Sequence, residues 1–183
     1  MIVTERDKKV INFIEENKIA TTDAIAEIFY PCLRVAQHRL KLMYDNKLIK
    51  RDRDYYTSQY YYYLKKPKQI KHSLLVTEFY KNLNKIADIK MFRSEFIIEN
   101  IRSDAFVAYE VNNIKKIAFV EVQISNTKLD IEKYEKLFKS GKYKSYFPVF
   151  PSILAITDRK VPQTNLDLIK INTNFNNLGG NLI

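Results

Sequence analysis

Two carboxylates in the second half of the sequence could carry metal-dependent chemistry. In the stretch FVEVQIS, residues 119–125, the alternation of a buried strand puts Glu121 and Gln123 on one face. Asp104 begins the preceding predicted strand, and adjacent antiparallel strands can bring Asp104 and Glu121 together. Carboxylates hold divalent ions, which polarise a phosphate and lower the pKa of bound water. These residues predict a phosphodiester-cleaving site, with Glu78 on the preceding predicted helix as a third candidate ligand.

Gln123 stands where many phosphodiester-cleaving folds have a lysine. A lysine orients the attacking water and offsets developing negative charge, whereas an amide can hydrogen-bond but carries no charge. Lys133, on the following predicted helix, is the best candidate to supply that charge. Two alternatives therefore stay open for Asp104 and Glu121: they belong to a catalytic site, intact or degenerate, or nearby lysines simply satisfy them.

A predicted helix over about residues 33–46 carries a second group of functional side chains. Its polar face holds Arg34, Gln37, His38 and Lys41, and its apolar face holds Leu33, Ala36, Leu40 and Met43. Arginine can pair with guanine and glutamine with adenine, so the polar face predicts contacts to base edges. Other basic residues are expected nearer the DNA phosphates: Arg39, Lys50, Arg51 and Arg53. The alternative is a solvated basic helix in a protein-binding domain.

Four consecutive tyrosines follow this helix, at positions 60 to 63. Strand alternation predicts Tyr61 and Tyr63 on one face and Tyr60 and Tyr62 on the other, where they would pack across strands. Stacking on unpaired bases is the alternative interpretation.

The charge balance favours a polyanionic partner. The 183 residues include 31 Lys plus Arg against 21 Asp plus Glu, a formal net charge of +10. Such an excess points to nucleic acid, although a merely basic surface is the alternative. With 46% apolar residues, the chain has enough material for the cores of one or two domains.

Scarce residue types exclude several protein classes. Three glycines cannot build a Walker A loop or a GxGxxG dinucleotide turn. The single cysteine, Cys32, allows neither an intramolecular disulfide nor a thiolate zinc site, which fits a reducing cytoplasm. The N-terminal residues are charged where a signal peptide is apolar, and no apolar run approaches the ~20 residues of a membrane span. We expect a cytoplasmic protein that does not associate with membranes.

Periodicity and turn signals predict two domains. Over residues 1–66, a helix capped by Thr4, a short helix capped by Thr21 or Thr22, the helix at 33–46 and two strands joined by a turn predict a winged helix-turn-helix. A lysine-rich segment around Pro67 predicts the domain boundary.

The second predicted domain covers residues 70–175 in the order α, β, β, β, α, β. Its strands are expected at about 89–92, with an extension to 98, and at 104–109, 117–125 and 153–157. Residues 164–175 could add an edge strand, and residues 176–183 are expected to form a flexible tail.

This order resembles the PD-(D/E)xK nuclease superfamily. That superfamily has an aspartate opening its second strand and an ExK motif on its third. The matching residues are Ser103-Asp104 and Glu121-Val122-Gln123. Ser103 replaces the superfamily's proline and Gln123 replaces its lysine.

Over residues 4–159, the chain resembles the replication-relaxation family of mobile-element proteins. The resemblance rests on the stretches TERDKKVINFI, LRVAQHRLKLMYDNKLIKR, IRSDAFVAYE, FVEVQIS, IEKYEKLFKSGKY and FPSILAITDR. It implies an α+β protein in which a winged helix-turn-helix precedes a restriction-endonuclease-like domain. It also implies a gene carried by plasmids, phages or integrative elements.

We expect a protein that binds double-stranded DNA in replication, DNA relaxation or conjugative transfer of such an element. The nuclease-like domain would be a degenerate scaffold for DNA or for a relaxase or replication initiator. The first alternative is a nicking endonuclease that depends on Mg²⁺ or Mn²⁺. The second is a winged-helix transcriptional regulator that forms a homodimer through the second domain.

Overall fold

The computed structural model of the chain describes residues 2–55, 57–126 and 128–182. The predicted α+β class is confirmed, and the chain divides into two compact units between Lys81 and Asn82. Each unit has its own sheet and its own buried apolar cluster. Across the described ranges, no helix combines the length and apolar character needed to cross a bilayer.

Three helices open the first unit: α1 (Glu5–Asn17), α2 (Thr22–Phe29) and α3 (Leu33–Asp45). Predicted caps are present at the first two. The Asp7 amide donates to the Thr4 hydroxyl, and the Thr4 amide donates to the Asp7 carboxylate at 2.7 Å, which completes a capping box. The Ala24 amide donates to the Thr21 hydroxyl at the start of α2. These bonds satisfy amide groups that the first turn of a helix leaves unpaired.

A small antiparallel sheet packs with these helices. Its strands are β1 (Ala20–Thr21), β2 (Lys50–Arg53) and β3 (Tyr60–Tyr63), in the order β1-β3-β2. Tyr62 packs with core residues of all three helices, whereas Tyr61 and Tyr63 cluster with Ile19. The predicted alternation of the tyrosines is therefore present in the structure.

Helix α4 (Ile70–Asn84) places the boundary between the units later than predicted. The sequence predicts this helix in the second domain, after a boundary at 66–70. In the structure, the Thr77 hydroxyl donates to the Ile19 carbonyl at 2.6 Å, so α4 contacts the segment before β1. The first unit extends to Lys81 because most of α4 packs within it.

Five strands form the sheet of the second unit, in sequential order: β4 (Asp88–Ile98), β5 (Ile101–Val111), β6 (Ile114–Val122), β7 (Ser152–Ile156) and β8 (Leu168–Ile171). Strands β4, β5 and β6 are antiparallel, and β7 and β8 run parallel to β6. The edge strand predicted within residues 164–175 is present as β8.

Helix α5 (Glu132–Ser140) and a 3₁₀ turn (Lys142–Ser145) connect β6 to β7. Two parallel strands require such a crossover. Tyr134 of α5 is fully buried, and its ring packs on Phe119 of β6 with the centroids 5.0 Å apart. The elements from α4 to β7 follow the predicted order, and α5 lies against the strand that carries Glu121.

Residues 178–182 are helical where the sequence predicted a flexible tail over 176–183. They form α6 (Leu178–Leu182), and both of its leucines are buried. The Lys116 ammonium donates to the Leu182 carbonyl at 2.6 Å. The two leucines lie four residues apart, which places them on one helix face, but the glycines and asparagines around them obscured this signal.

Candidate nucleic-acid interface and carboxylate site

The exposed face of α3 carries the side chains predicted to contact base edges. These exposed residues are Arg34, Gln37, His38 and Lys41. On the opposite face, Ala36, Leu40 and Met43 are fully buried. Lys41 Nζ lies 2.6 Å from Asp45 Oδ2 in an exposed ion pair. Such pairs contribute little stability, so Lys41 can exchange this partner for another anion.

Leu33 does not pack into the core as predicted. Its side chain is 44% exposed, because it is the first residue of α3 and the buried face begins one turn later, at Ala36. Val35 is also exposed. The start of α3 therefore presents both apolar and polar side chains.

Arg39 has a structural role instead of the predicted phosphate contact. Its Nε donates to Asp7 Oδ1 at 2.8 Å, and its Nη2 donates to Asp7 Oδ2 and to the Ile2 carbonyl. The hydrogen bonds from this guanidinium are the main reason that the pKa of Asp7 falls to about 2. Sequence spacing does not predict this pair, since nothing local links two residues that lie 32 positions apart.

The other predicted phosphate contacts, Lys50, Arg51 and Arg53, lie on β2. The Arg51 guanidinium carbon lies 4.2 Å from the centroid of the Tyr44 ring and 4.4 Å from that of Tyr60. Arg53 lies over Tyr60 as well, at 5.7 Å. Tyr44 was not among the predicted residues, because a contact between α3 and β2 leaves no trace in local spacing.

Asp104 and Glu121 lie beside each other at the end of the β5–β6 ladder. The last paired residues are Ala105 and Val120, and the same register puts Asp104 opposite Glu121. The Val122 amide donates to Asp104 Oδ2 at 2.7 Å. The structure thus brings together the two carboxylates that the sequence analysis named.

Two residues of α5 engage Glu121. Lys133 Nζ lies 2.6 Å from Glu121 Oε1 and also donates to the Arg102 carbonyl at 2.8 Å. The Tyr134 hydroxyl donates to the same Glu121 oxygen. Burial raises the pKa of Glu121, the Lys133 ammonium opposes this rise, and the Asp104 charge adds to it. Burial also raises the pKa of Tyr134, which keeps its hydroxyl protonated as a donor.

Gln123 directs its amide to the loop after β6. Its Nε2 donates to the Ser125 carbonyl at 3.1 Å and to the Ser125 hydroxyl at 3.0 Å. The ammonium beside Glu121 belongs to Lys133, the residue named as a substitute for the missing lysine. The same contact also fits the second alternative, in which a lysine satisfies the carboxylate.

Glu78, the third candidate metal ligand, belongs to the first unit. Its carboxylate accepts a hydrogen bond from the Thr21 hydroxyl at 3.0 Å and pairs with Lys81. Among residues 2–55, 57–126 and 128–182, no group of three or more His, Cys, Asp or Glu side chains could hold a metal ion. Glu78 is therefore engaged by residues of its own unit.

The carboxylate site as built does not fit Mg²⁺ or Mn²⁺. Hard divalent ions take several oxygen ligands, and Glu121 Oε1 already accepts from Lys133 and Tyr134. The Lys133 ammonium supplies the positive charge that a divalent metal ion would bring to Glu121 Oε1. The arrangement can keep a buried carboxylate paired and can hold α5 against the sheet.

Comparisons with known proteins give no assignment. No protein-family model matches the chain, and no characterised protein or solved structure is significantly similar to it. The resemblance to the replication-relaxation family therefore stays a prediction.

Proposed function

We propose that the protein binds double-stranded DNA through its first unit, which we interpret as a winged helix-turn-helix domain. The element order α1-β1-α2-α3-β2-β3 and the antiparallel sheet β1-β3-β2 support this interpretation. In this proposal, α3 enters the major groove, and the turn between β2 and β3 is the wing.

The exposed polar face of α3 carries the proposal. Arg34, Gln37 and His38 project from it in a protein whose net charge is +10. A guanidinium can bind guanine through two hydrogen bonds, and a glutamine amide can bind adenine in the same way. At the end of α3, the stack of Arg51 on Tyr44 supplies positive charge suited to a phosphate.

Fluorescence anisotropy with labelled duplexes tests this function. Affinity should fall as salt rises, because phosphate contacts release counterions. The double variant Arg34→Ala/Lys41→Ala should bind at least about tenfold more weakly, since each lost DNA contact costs about 1–3 kcal/mol. Lys8→Ala/Lys9→Ala removes the same charge from α1 and should change affinity by no more than about twofold. Absence of salt-sensitive binding to any duplex contradicts the proposal.

For the second unit, the proposal is a restriction-endonuclease-like domain that acts as a scaffold. The order β4-β5-β6-α5-β7 and the adjacent Asp104 and Glu121 support the likeness. The contact of Lys133 with Glu121 supports the scaffold role, because this ammonium already neutralises the carboxylate. In this role, the second unit contributes surface for DNA or for a protein partner.

A nicking nuclease is the second candidate function, because Asp104, Glu121 and Lys133 converge. Incubation of supercoiled plasmid with the protein and Mn²⁺ or Mg²⁺ distinguishes the two functions. The plasmid should stay supercoiled if the unit is a scaffold. Nicking that disappears in Asp104→Ala and in Glu121→Ala would replace the scaffold proposal with the nuclease.

The biological setting that we propose is replication, DNA relaxation or transfer of a mobile element. The resemblance to the replication-relaxation family supports this setting. Immunoprecipitation of the protein should also recover a relaxase or replication initiator. Sequencing of the DNA bound in the same precipitate should identify sites near the element's replication or transfer origin. Sites confined to the promoter of the protein's own gene would favour a transcriptional regulator instead.

A further inference from the structure

We propose that the second unit binds a phosphate-bearing nucleotide in a cleft of about 780 Å³ at the carboxyl ends of β6 and β7. Gln123 and Thr157, which directly follow these parallel strands, both line the cleft. In open α/β sheets, ligands bind outside the carboxyl ends of the strands. The inference concerns the second unit alone and does not rest on DNA binding by α3.

The cleft carries three basic side chains that are available to an anion. Lys128, Arg159 and Lys160 line it, and all three are exposed. Within the described part of the chain, none of the three forms an ion pair with an aspartate or a glutamate. A phosphate can therefore bind them without displacing a carboxylate from the protein.

The acidic side chains around the cleft, by contrast, already have partners. The Glu135 carboxylate accepts from the Thr164 hydroxyl at 2.7 Å, and Glu132 lies 3.9 Å from the ammonium of Lys136. The Lys133 amide donates to Asp130 Oδ1 at 3.4 Å. The hydroxyl and amide donors orient Glu135 and Asp130 without cancelling their charge, so the case for an anionic ligand depends on Lys128, Arg159 and Lys160, which have no carboxylate partner among the described residues.

The loop that carries Arg159 and Lys160 is anchored before any ligand arrives. The Thr157 hydroxyl donates to the Gln123 carbonyl at 2.9 Å and accepts from the Arg159 amide at 3.2 Å. Next to it, Asp158 accepts from the Thr173 amide at 3.0 Å and from the Thr173 hydroxyl. Because these contacts order the backbone, less entropy is lost when a ligand binds.

The apolar part of the cleft points to more than inorganic phosphate. Leu129, Val161 and Pro162 also line it, and the volume lies within the roughly 300–1,000 Å³ typical of small-molecule sites. An apolar wall beside cationic side chains suits a sugar or base attached to a phosphate. A free nucleotide and a nucleotide unit of an exposed DNA strand share this chemistry.

Titration of the full chain with thymidine monophosphate and with the 5′-phosphorylated dinucleotide pTpT tests the inference. Calorimetry should detect binding, and the amide resonances of residues 157–161 and of Gln163 should shift. Arg159→Ala/Lys160→Ala should weaken binding by about tenfold or more, because it removes two cationic hydrogen-bond donors from the phosphate. Lys139→Ala/Lys144→Ala removes two exposed cations of the same unit that do not line the cleft, and should change affinity by no more than about twofold.

Each outcome of the titration has one meaning. Equal affinity for the two ligands supports a free nucleotide, and binding of pTpT alone supports a nucleotide unit of a DNA strand. Absence of binding by either ligand overturns the inference, as do equal losses in the two double variants. Arg34→Ala/Lys41→Ala should leave pTpT affinity unchanged, so a failure of duplex binding by α3 is distinguishable from a failure of this site.

Discussion

Arg39 of α3 and Asp7 of α1 are joined by two hydrogen bonds from one guanidinium to one carboxylate. The same carboxylate accepts the Thr4 amide that caps α1. The buried Asp7 side chain therefore both caps the start of α1 and holds α3 against α1. The orientation of the exposed face of α3 depends on a residue that is not part of that face.

The Arg39–Asp7 pair predicts a specific loss of stability in acid. Folding lowers the pKa of Asp7 from 3.8 to about 2, so the native state binds fewer protons than the unfolded state between these values. This contribution, about 2 kcal/mol, is complete above pH 3.8 and is lost as the pH falls towards 2. Arg39→Met should lower the free energy of unfolding at neutral pH by about 3 kcal/mol, because it leaves a buried carboxylate unpaired.

Urea unfolding over this pH range measures both effects. In Arg39→Met, the acid-dependent component assigned to Asp7 should shrink. Lys8→Met breaks an exposed pair with Glu5 and should change the free energy of unfolding by less than about 1 kcal/mol. If the free energy of unfolding of Arg39→Met depended on pH in the same way as that of the wild type, the Arg39–Asp7 pair would not be what keeps the pKa of Asp7 low.

The raised pKa of Glu121 predicts the opposite dependence of folding stability on pH. Folding raises its pKa above the ordinary 4.5, so the native state binds more protons than the unfolded state above that pH. This part of the stability is complete below pH 4.5 and is lost as the pH rises through the folded-state pKa. Lys133→Met removes the ammonium that opposes the rise in the pKa of Glu121, so it should increase the loss of stability at rising pH. Glu121→Gln removes the titrating group and should abolish this loss.

The free energy of unfolding from acid to neutral pH provides the measurement. Lys136→Met, an exposed neighbour on α5, should keep the wild-type profile. If Glu121→Gln retains the wild-type loss of stability, the titrating group lies elsewhere.

The stack of Arg51 between Tyr44 and Tyr60 predicts that lysine cannot replace this arginine. A guanidinium is planar and can face two rings, whereas an ammonium cannot. Arg51→Lys should lower the free energy of unfolding by about 1 kcal/mol, measured in urea. Lys50→Ala, at the exposed neighbouring position, should change it by less than about 0.5 kcal/mol. Equal values for the two variants would mean that the stack adds nothing to stability.

We predict that substitution of Lys18 by glycine increases the stability of the protein. It ends α1 with a φ of 67°, in the left-handed region. That conformation costs a non-glycine residue about 1–2 kcal/mol, and glycine adopts it without strain. Lys18→Gly should therefore raise the free energy of unfolding by about 1 kcal/mol, whereas Lys9→Gly inside α1 should lower it by about the same amount. Destabilisation by both variants would contradict the prediction.

Local patterns predicted most of the helices and strands of this fold, but not β1, α6 or the partners of its charged residues. The Thr4 cap and the tyrosine alternation are properties of one helical turn and one strand. The roles of Arg39 and Tyr44 depend on contacts between separate elements. Spacing alone makes Arg39 resemble its exposed neighbours on α3, because Asp7 is the feature that distinguishes it.

The carboxylate site was predictable to the extent that strand order determines it. Neighbouring antiparallel strands bring Asp104 and Glu121 together, and the crossover helix brings Lys133 to the same place. Glu78 was predicted from its position on the helix before β4. The contact of α4 with β1 instead engages Glu78 with Thr21, and only the tertiary structure reveals this.

Strand β3 cannot slide. A shift by one residue would move Tyr62 to the side of Ile19 and would drive Tyr61 and Tyr63 among the three helices. The two apolar clusters therefore fix the alignment of Tyr61, Tyr62 and Tyr63. Natural variation in chain length should accumulate in the turn between β2 and β3, while β3 itself should tolerate neither an insertion nor a deletion.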